Sequence, residues 1–141
     1  MGLEGRDARL RTSATQRPLS PHLQVWRWHL AMLTSILHRA SGLALYGGAL
    51  VLAGWVVALA GGPDLFDAYR GLLGSPPGKG ILFAVTLAIF YHLANGIRHL
   101  VWDCGLGFDV KAANATALVV IAFAVAASVS VWVFAAFAGA L

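Results

Sequence analysis

Two short polar clusters interrupt apolar stretches of the sequence, and they carry the side chains that could do chemistry. The first places Ser35, His38 and Arg39 within five residues. Ser35 and Arg39 are four residues apart, so they share a face if this segment is a helix. A hydroxyl donor beside a permanent cation suits the carbonyl oxygens of a quinone, or an anionic group such as a haem propionate. For Arg39 alone, the alternative is a side chain that extends toward lipid headgroups.

The second cluster spans residues 91–99, where His92, Asn95 and His99 follow the i, i+3, i+7 spacing of one helical face. His92 lies ten residues before Trp102, about 15 Å along a helix. An imidazole at that depth is either an axial ligand of haem or a hydrogen-bonded packing residue. His99 is close enough to Trp102 to reach water, so depth favours His92 as the metal ligand. A second axial histidine would then have to come from another subunit.

Three long apolar blocks must position these clusters. Hydrophobic residues make up 59% of the 141-residue chain and charged residues 11%, against about 25% charged in soluble domains. Each block exceeds the ~20 residues that cross a bilayer as a helix. We therefore predict an all-α membrane protein with three transmembrane helices in one bundle, at residues 33–60, 80–102 and 113–140. Residues 17–141 would form this domain, after a disordered tail at 1–16.

The connectors and basic residues predict how the spans are joined and oriented. Gly61–Asp64 and Gly74–Gly78 contain turn-forming residues, which predicts a short polar loop between the first two spans. Cytoplasmic flanks are enriched in Lys and Arg. Eight of the ten basic residues fall on the N-terminal side of the membrane and two on the other, which predicts the N-terminus inside and the C-terminus outside. The eight are Arg6, Arg9, Arg11, Arg17, Arg27, Arg39, Arg98 and Lys111.

Several classes of function are disfavoured by composition. The basic residues are too sparse for a nucleic-acid surface, and contact with lipid headgroups is the better interpretation. Cys104 is the single cysteine, so a thiolate metal cage is excluded. A small transporter would need more polar residues in the third span, where only Ser128 and Ser130 lie at depth.

Three stretches of the chain resemble one known family. They are Arg-Pro-Leu-Ser-Pro-His-Leu at 17–23, Ser-Ile-Leu-His-Arg-Ala-Ser-Gly at 35–42 and His-Leu-Ala-Asn-Gly-Ile-Arg-His-Leu-Val-Trp-Asp at 92–103. In this order they resemble the cytochrome b anchor of succinate dehydrogenase, the larger of the two membrane anchors of respiratory complex II. The resemblance covers residues 17–140, and the second and third stretches are highly specific for the family.

The resemblance implies cofactors, partners and site residues. It implies one haem b held between two anchor subunits, with His92 as the axial ligand from this chain. It implies that Ser35 and Arg39 belong to a quinone site, for ubiquinone, and that His38 and Arg39 lie near the haem propionates. The implied partners are the second anchor, the iron-sulfur subunit, the flavoprotein subunit and lipid. The implied location is a bacterial or mitochondrial inner membrane.

Two alternatives share most of these features. A fumarate reductase anchor would oxidise quinol instead, and the direction depends on cofactor potentials that the sequence does not encode. A haem-free structural anchor would hold a peripheral enzyme without any b-type absorbance.

Overall fold

Four helices make up the part of the chain that the computed structural model describes, namely Val25 and residues 27–140. They are α1 (Leu30–Ala60), α2 (Pro63–Gly74), α3 (Pro76–Asp103) and α4 (Val110–Phe137). Helices α1, α3 and α4 are long and apolar enough to cross a membrane. This confirms the predicted all-α fold with three spans. The start of α1, the end of α3 and the start of α4 lie together, and we call this the basic end of the bundle.

The observed spans differ in detail from the predicted ones. Each begins three or four residues earlier than predicted, and α4 ends at Phe137 rather than at residue 140. The predicted tail at 1–16 and the motif at 17–23 lie outside the described residues. Which side of the membrane the basic end faces stays a prediction from the distribution of Lys and Arg.

The prediction of a polar loop between the first two spans is wrong, because residues Pro63–Gly74 form helix α2. Twelve residues are too few to cross a bilayer, and a helix this short depends on tertiary contacts. One such contact is the Tyr69 hydroxyl, which donates to the Val51 carbonyl of α1 at 2.7 Å. Gly54 makes room for it, because a Cβ there would lie 2.7 Å from the Tyr69 hydroxyl oxygen. Helix α2 therefore packs against the far end of α1.

Helix α3 is the centre of the bundle and packs against both α1 and α4. Small residues on α4 make the close approach possible: Ala117 and Ala124 are fully buried, and Val120 packs with Tyr91 of α3. On the other side, a Cβ on Gly48 of α1 would lie 2.8 Å from a methyl group of Val85. Dense helix contacts through small residues are typical of membrane bundles. The spans hold the polar clusters on a rigid frame.

The turn from α2 into α3 depends on Gly78, and its replacement by alanine is expected to destabilise the fold. A Cβ at this buried position would lie 2.4 Å from the Leu72 carbonyl oxygen and 2.5 Å from that of Leu73. These are backbone atoms, so the turn itself must open, at an expected cost of about 1–3 kcal/mol. Thermal unfolding of the detergent-solubilised protein measures the loss. Gly80→Ala is the matched control, because no atom lies within 4 Å of its added Cβ; equal losses for both variants would contradict the prediction.

Candidate functional site

The two predicted clusters meet at the basic end, where three histidine rings stack. His38 of α1 lies 4.1 Å from His92 of α3 between ring centroids, with the planes 15° apart. On its other side, His38 lies 5.1 Å from His99, with the planes 18° apart. The imidazoles thus form a column from mid-depth toward the end of α3. We call it the histidine column.

His92 occupies the deep end of this column, in a place shaped by α1. Its Nδ1 lies 3.1 Å from the Ser41 hydroxyl oxygen. Its Nε2 has no hydrogen-bond partner within the described part of the chain. A Cβ on Gly42 would lie 3.3 Å from the His92 Cε1, so the glycine leaves the ring space to lie against the α1 backbone. One ring nitrogen is held and the other is available to a metal.

The Nδ1 of His99 also has a hydrogen-bond partner, which lies in its own helix. Its Nδ1 lies 2.8 Å from the Asn95 carbonyl oxygen, which can only accept, so Nδ1 carries the proton. The ring also lies 5.1 Å from Trp102 near the end of α3. The protonation of the rings therefore does not choose between His92 and His99, and depth in the membrane remains the argument for His92.

The side chains of Ser35 and Arg39 have no hydrogen-bond partner among the described residues. Helical serines commonly donate back to a carbonyl one turn earlier, as Ser41 and Ser128 do here. No such bond is made by the half-buried Ser35, and none by the exposed Arg39, within residues 27–140. Both polar groups are therefore free to bind a ligand or another subunit.

Arg98 behaves in the opposite way, and sequence reasoning missed its role by counting it only as a topological charge. It is 6% exposed and joins three helices. Its donors reach Thr116 and the Ala113 carbonyl of α4, at 3.0 and 2.8 Å, and Thr34 of α1, at 3.4 Å. The guanidinium also lies 4.0 Å from the centroid of the Trp102 ring. The signal in the sequence was its spacing, seven residues after Tyr91 and three after Asn95.

The side chain of Asn95 is hydrogen-bonded to Arg98 and, among the described residues, to no histidine. The side chain is fully buried, and its Oδ1 accepts from Arg98 at 3.3 Å. Its Nδ2 and the Nδ1 of His38 are buried without a hydrogen-bond partner in the described residues. Unpaired buried polar atoms are costly, so two donor or acceptor positions beside the histidine column remain open to water or a bound group.

Two apolar cavities lie along the spans. One of about 350 Å³ adjoins Ser41 and Tyr91 between α1, α3 and α4. A larger one, of about 780 Å³, lies toward the far end. There the Trp132 ring N–H donates to Thr86 at 3.3 Å, and Thr86 donates to a carbonyl. Thr86 and Trp132, which line the larger cavity, therefore already have hydrogen-bond partners.

The fold and the site define a three-span membrane protein with a histidine column at one end of its bundle. The family model described as succinate dehydrogenase/fumarate reductase transmembrane subunit matches residues 13–131. The chain belongs to this family.

Relatives of the chain carry consistent names. It is 38% identical to the succinate dehydrogenase cytochrome b556 subunit of Rickettsia felis, over 84% of this chain and 92% of that protein. The Paracoccus denitrificans protein of the same name is 40% identical, over 80% and 87% of the two chains. The mitochondrial cytochrome b560 subunit of Mus musculus is 35% identical, over 84% and 71%. This family and the three spans agree with the predicted multi-pass location in a bacterial or mitochondrial inner membrane.

Proposed function

We propose that the chain is the membrane anchor of a succinate:quinone oxidoreductase that shares a haem b with a second anchor subunit and contributes to quinone reduction. The observation that carries the proposal is the arrangement at the basic end. There the Nε2 of His92 has no hydrogen-bond partner among the described residues, and neither have the side chains of Ser35 and Arg39 on the neighbouring helix α1. The relatives' names call them cytochrome subunits of succinate dehydrogenase, which supports the haem and the place of the chain in such an enzyme.

The residues around His92 fit a haem. Haem b, when bound, supplies a one-electron couple whose potential depends on its axial ligands. In this chain His92 would bind the iron through Nε2, and Gly42 gives its ring room to lie against the α1 backbone. The half-buried His38 and the exposed Arg39 would bind the propionates. Since the chain supplies one mid-depth imidazole, the second anchor supplies the other ligand.

The quinone would bind beside the half-buried Ser35 and the exposed Arg39 at the basic end. The Ser35 hydroxyl would donate to a quinone carbonyl, and the Arg39 guanidinium would stabilise negative charge that develops on the oxygens as electrons arrive. Electrons would come from the iron-sulfur subunit, which takes them from succinate through the flavoprotein subunit. This chain contributes only Ser35 and Arg39 to the quinone site, so the partner subunits would supply the remaining residues.

Substitutions of Ser35 and Arg39 should lower quinone reduction by the assembled complex without lowering succinate oxidation. We expect Ser35→Ala to lower succinate:quinone reductase activity about tenfold and Arg39→Gln about a hundredfold, from lost hydrogen bonding and charge stabilisation. Succinate oxidation by an artificial soluble acceptor should be unchanged, because that reaction needs no membrane quinone.

The controls are matched by residue type. Ser130 is an exposed serine whose hydroxyl donates to the Ala126 carbonyl at 2.7 Å, and Arg70 is an exposed arginine on α2. Ser130→Ala and Arg70→Gln should retain both activities. Normal quinone reduction in the Ser35 and Arg39 variants would overturn the assignment of the quinone site.

A further inference from the structure

We infer that Ser41 is a positioning residue that fixes the proton of His92 on Nδ1 and leaves Nε2 unprotonated for the iron. The inference rests on the proposed function, because it concerns how this chain prepares a haem ligand. It adds a residue that acts through His92 and does not itself touch the iron.

The hydrogen bonds of Ser41 determine which ring nitrogen carries the proton. A serine hydroxyl has one hydrogen to donate. Ser41 donates it to the His38 carbonyl oxygen at 2.8 Å, which can only accept. Toward His92, 3.1 Å away, the Ser41 oxygen can therefore only accept, so the His92 Nδ1 must be the donor. In neutral imidazole the proton on Nδ1 leaves the lone pair on Nε2, as axial ligation requires.

The surroundings make this arrangement hard to reverse. Ser41 is 8% exposed, so water does not compete freely for its oxygen. The ring of His92 is confined by His38 stacked at 4.1 Å and by the backbone at Gly42, where a Cβ would lie 3.3 Å from Cε1. A flip of the ring would leave the Ser41 oxygen without its donor in a buried place. Orientation and protonation of His92 are thus set by α1 before a haem binds.

The expected consequence is a change in how tightly and at what potential haem is held. Loss of an outer hydrogen bond to a ligating histidine typically costs 10–100-fold in metal affinity. We therefore expect Ser41→Ala to weaken haem retention about tenfold. The hydrogen bond also makes the ring a stronger electron donor, which favours ferric iron, so its removal should raise the midpoint potential. Ser41→Cys keeps the volume with a much poorer acceptor and should act in the same direction.

The experiment measures haem per complex and the midpoint potential in purified, assembled enzyme, with flavin content as the assembly standard. Ser41→Thr retains a hydroxyl and should restore both values. Ser128→Ala is the matched control, because Ser128 is also buried and donates one turn back, at 2.7 Å to Ala124, without contacting a histidine. It should leave haem content and potential unchanged.

The outcomes separate this inference from the proposed function. If Ser41→Ala and Ser41→Cys keep normal haem content and potential while His92 substitution disturbs the haem, Ser41 has no positioning role and the haem ligand stands. If Ser41→Thr fails to restore the values lost in Ser41→Ala, the hydroxyl is not the cause and the inference is overturned. If haem is unaffected by His92 substitution as well, the proposed ligand itself is wrong.

Discussion

Replacing His92 with alanine is expected to cost the assembled complex its normal b-type haem spectrum and to weaken haem retention at least tenfold. The variant removes one of two axial imidazoles, and no other histidine among the described residues lies as deep in the spans. The reduced-minus-oxidised difference spectrum and the haem-to-flavin ratio measure the effect. An unchanged haem absorbance band, midpoint potential and haem content would show that His92 is not an axial ligand.

The histidine column adds a second expectation to this experiment. Because the ring of His38 lies 4.1 Å from that of His92, it is the nearest substitute ligand once His92 is gone. We expect the His92→Ala variant to keep a fraction of altered haem, and the His92→Ala/His38→Ala double variant to lose it. His99→Ala is the control, since its ring has the same protonation at Nδ1 but lies near the end of α3. If His92→Ala keeps a normal haem spectrum and His99→Ala loses it, His99 rather than His92 is the axial ligand.

Removal of the buried guanidinium of Arg98 is expected to lower the stability of the bundle strongly. Arg98→Gln takes away donors to Thr34, Ala113 and Thr116, which lie on two different helices. Hydrogen bonds from a charged donor contribute about 1.5–3 kcal/mol each, and one of the acceptors left behind, the Thr34 hydroxyl, is buried. Allowing for non-additivity, we expect a loss of about 3 kcal/mol or more.

The assembled complex makes this loss measurable. The temperature at which Arg98→Gln unfolds in detergent, and the fraction of complex that survives purification, should both fall. Arg70→Gln removes an exposed arginine from α2 and should change neither. Arg98→Lys keeps the charge but not the planar fork, so it should recover part of the loss. Equal stability of Arg98→Gln and Arg70→Gln would show that the network contributes little.

Sequence patterns predicted the three-span fold correctly, because crossing a bilayer requires long apolar helices. They also predict His92 as the deepest ligand candidate, since ~1.5 Å per residue converts spacing into distance, and this assignment stays a prediction. They failed at α2, where one hydroxyl, that of Tyr69, reaches a carbonyl of α1. Contacts of this kind join residues far apart in sequence, so local composition does not predict them.

The same reasoning explains why Ser41, Gly42 and Arg98 were overlooked. Ser41 gains its importance from His92, which is 51 residues away in the sequence. Arg98 and Arg39 are the same residue type at the same end of the bundle, yet one is buried among acceptors and the other is exposed. Only the direction in which each side chain leaves its helix separates a structural arginine from one available to a ligand.

The length of α1 makes the enzyme sensitive to the membrane around it. Its 31 residues extend about 46 Å, against a hydrocarbon thickness of about 30 Å. The excess length is absorbed by tilting or by emergence of the polar helix end into the headgroups. Because α2 packs against the far end, much of the adjustment falls on the opposite end, where Ser35 and Arg39 lie. At the proposed quinone site, bilayer thickness would therefore set the polarity around a bound quinone, and lipids of different chain length should change its affinity without any change in sequence.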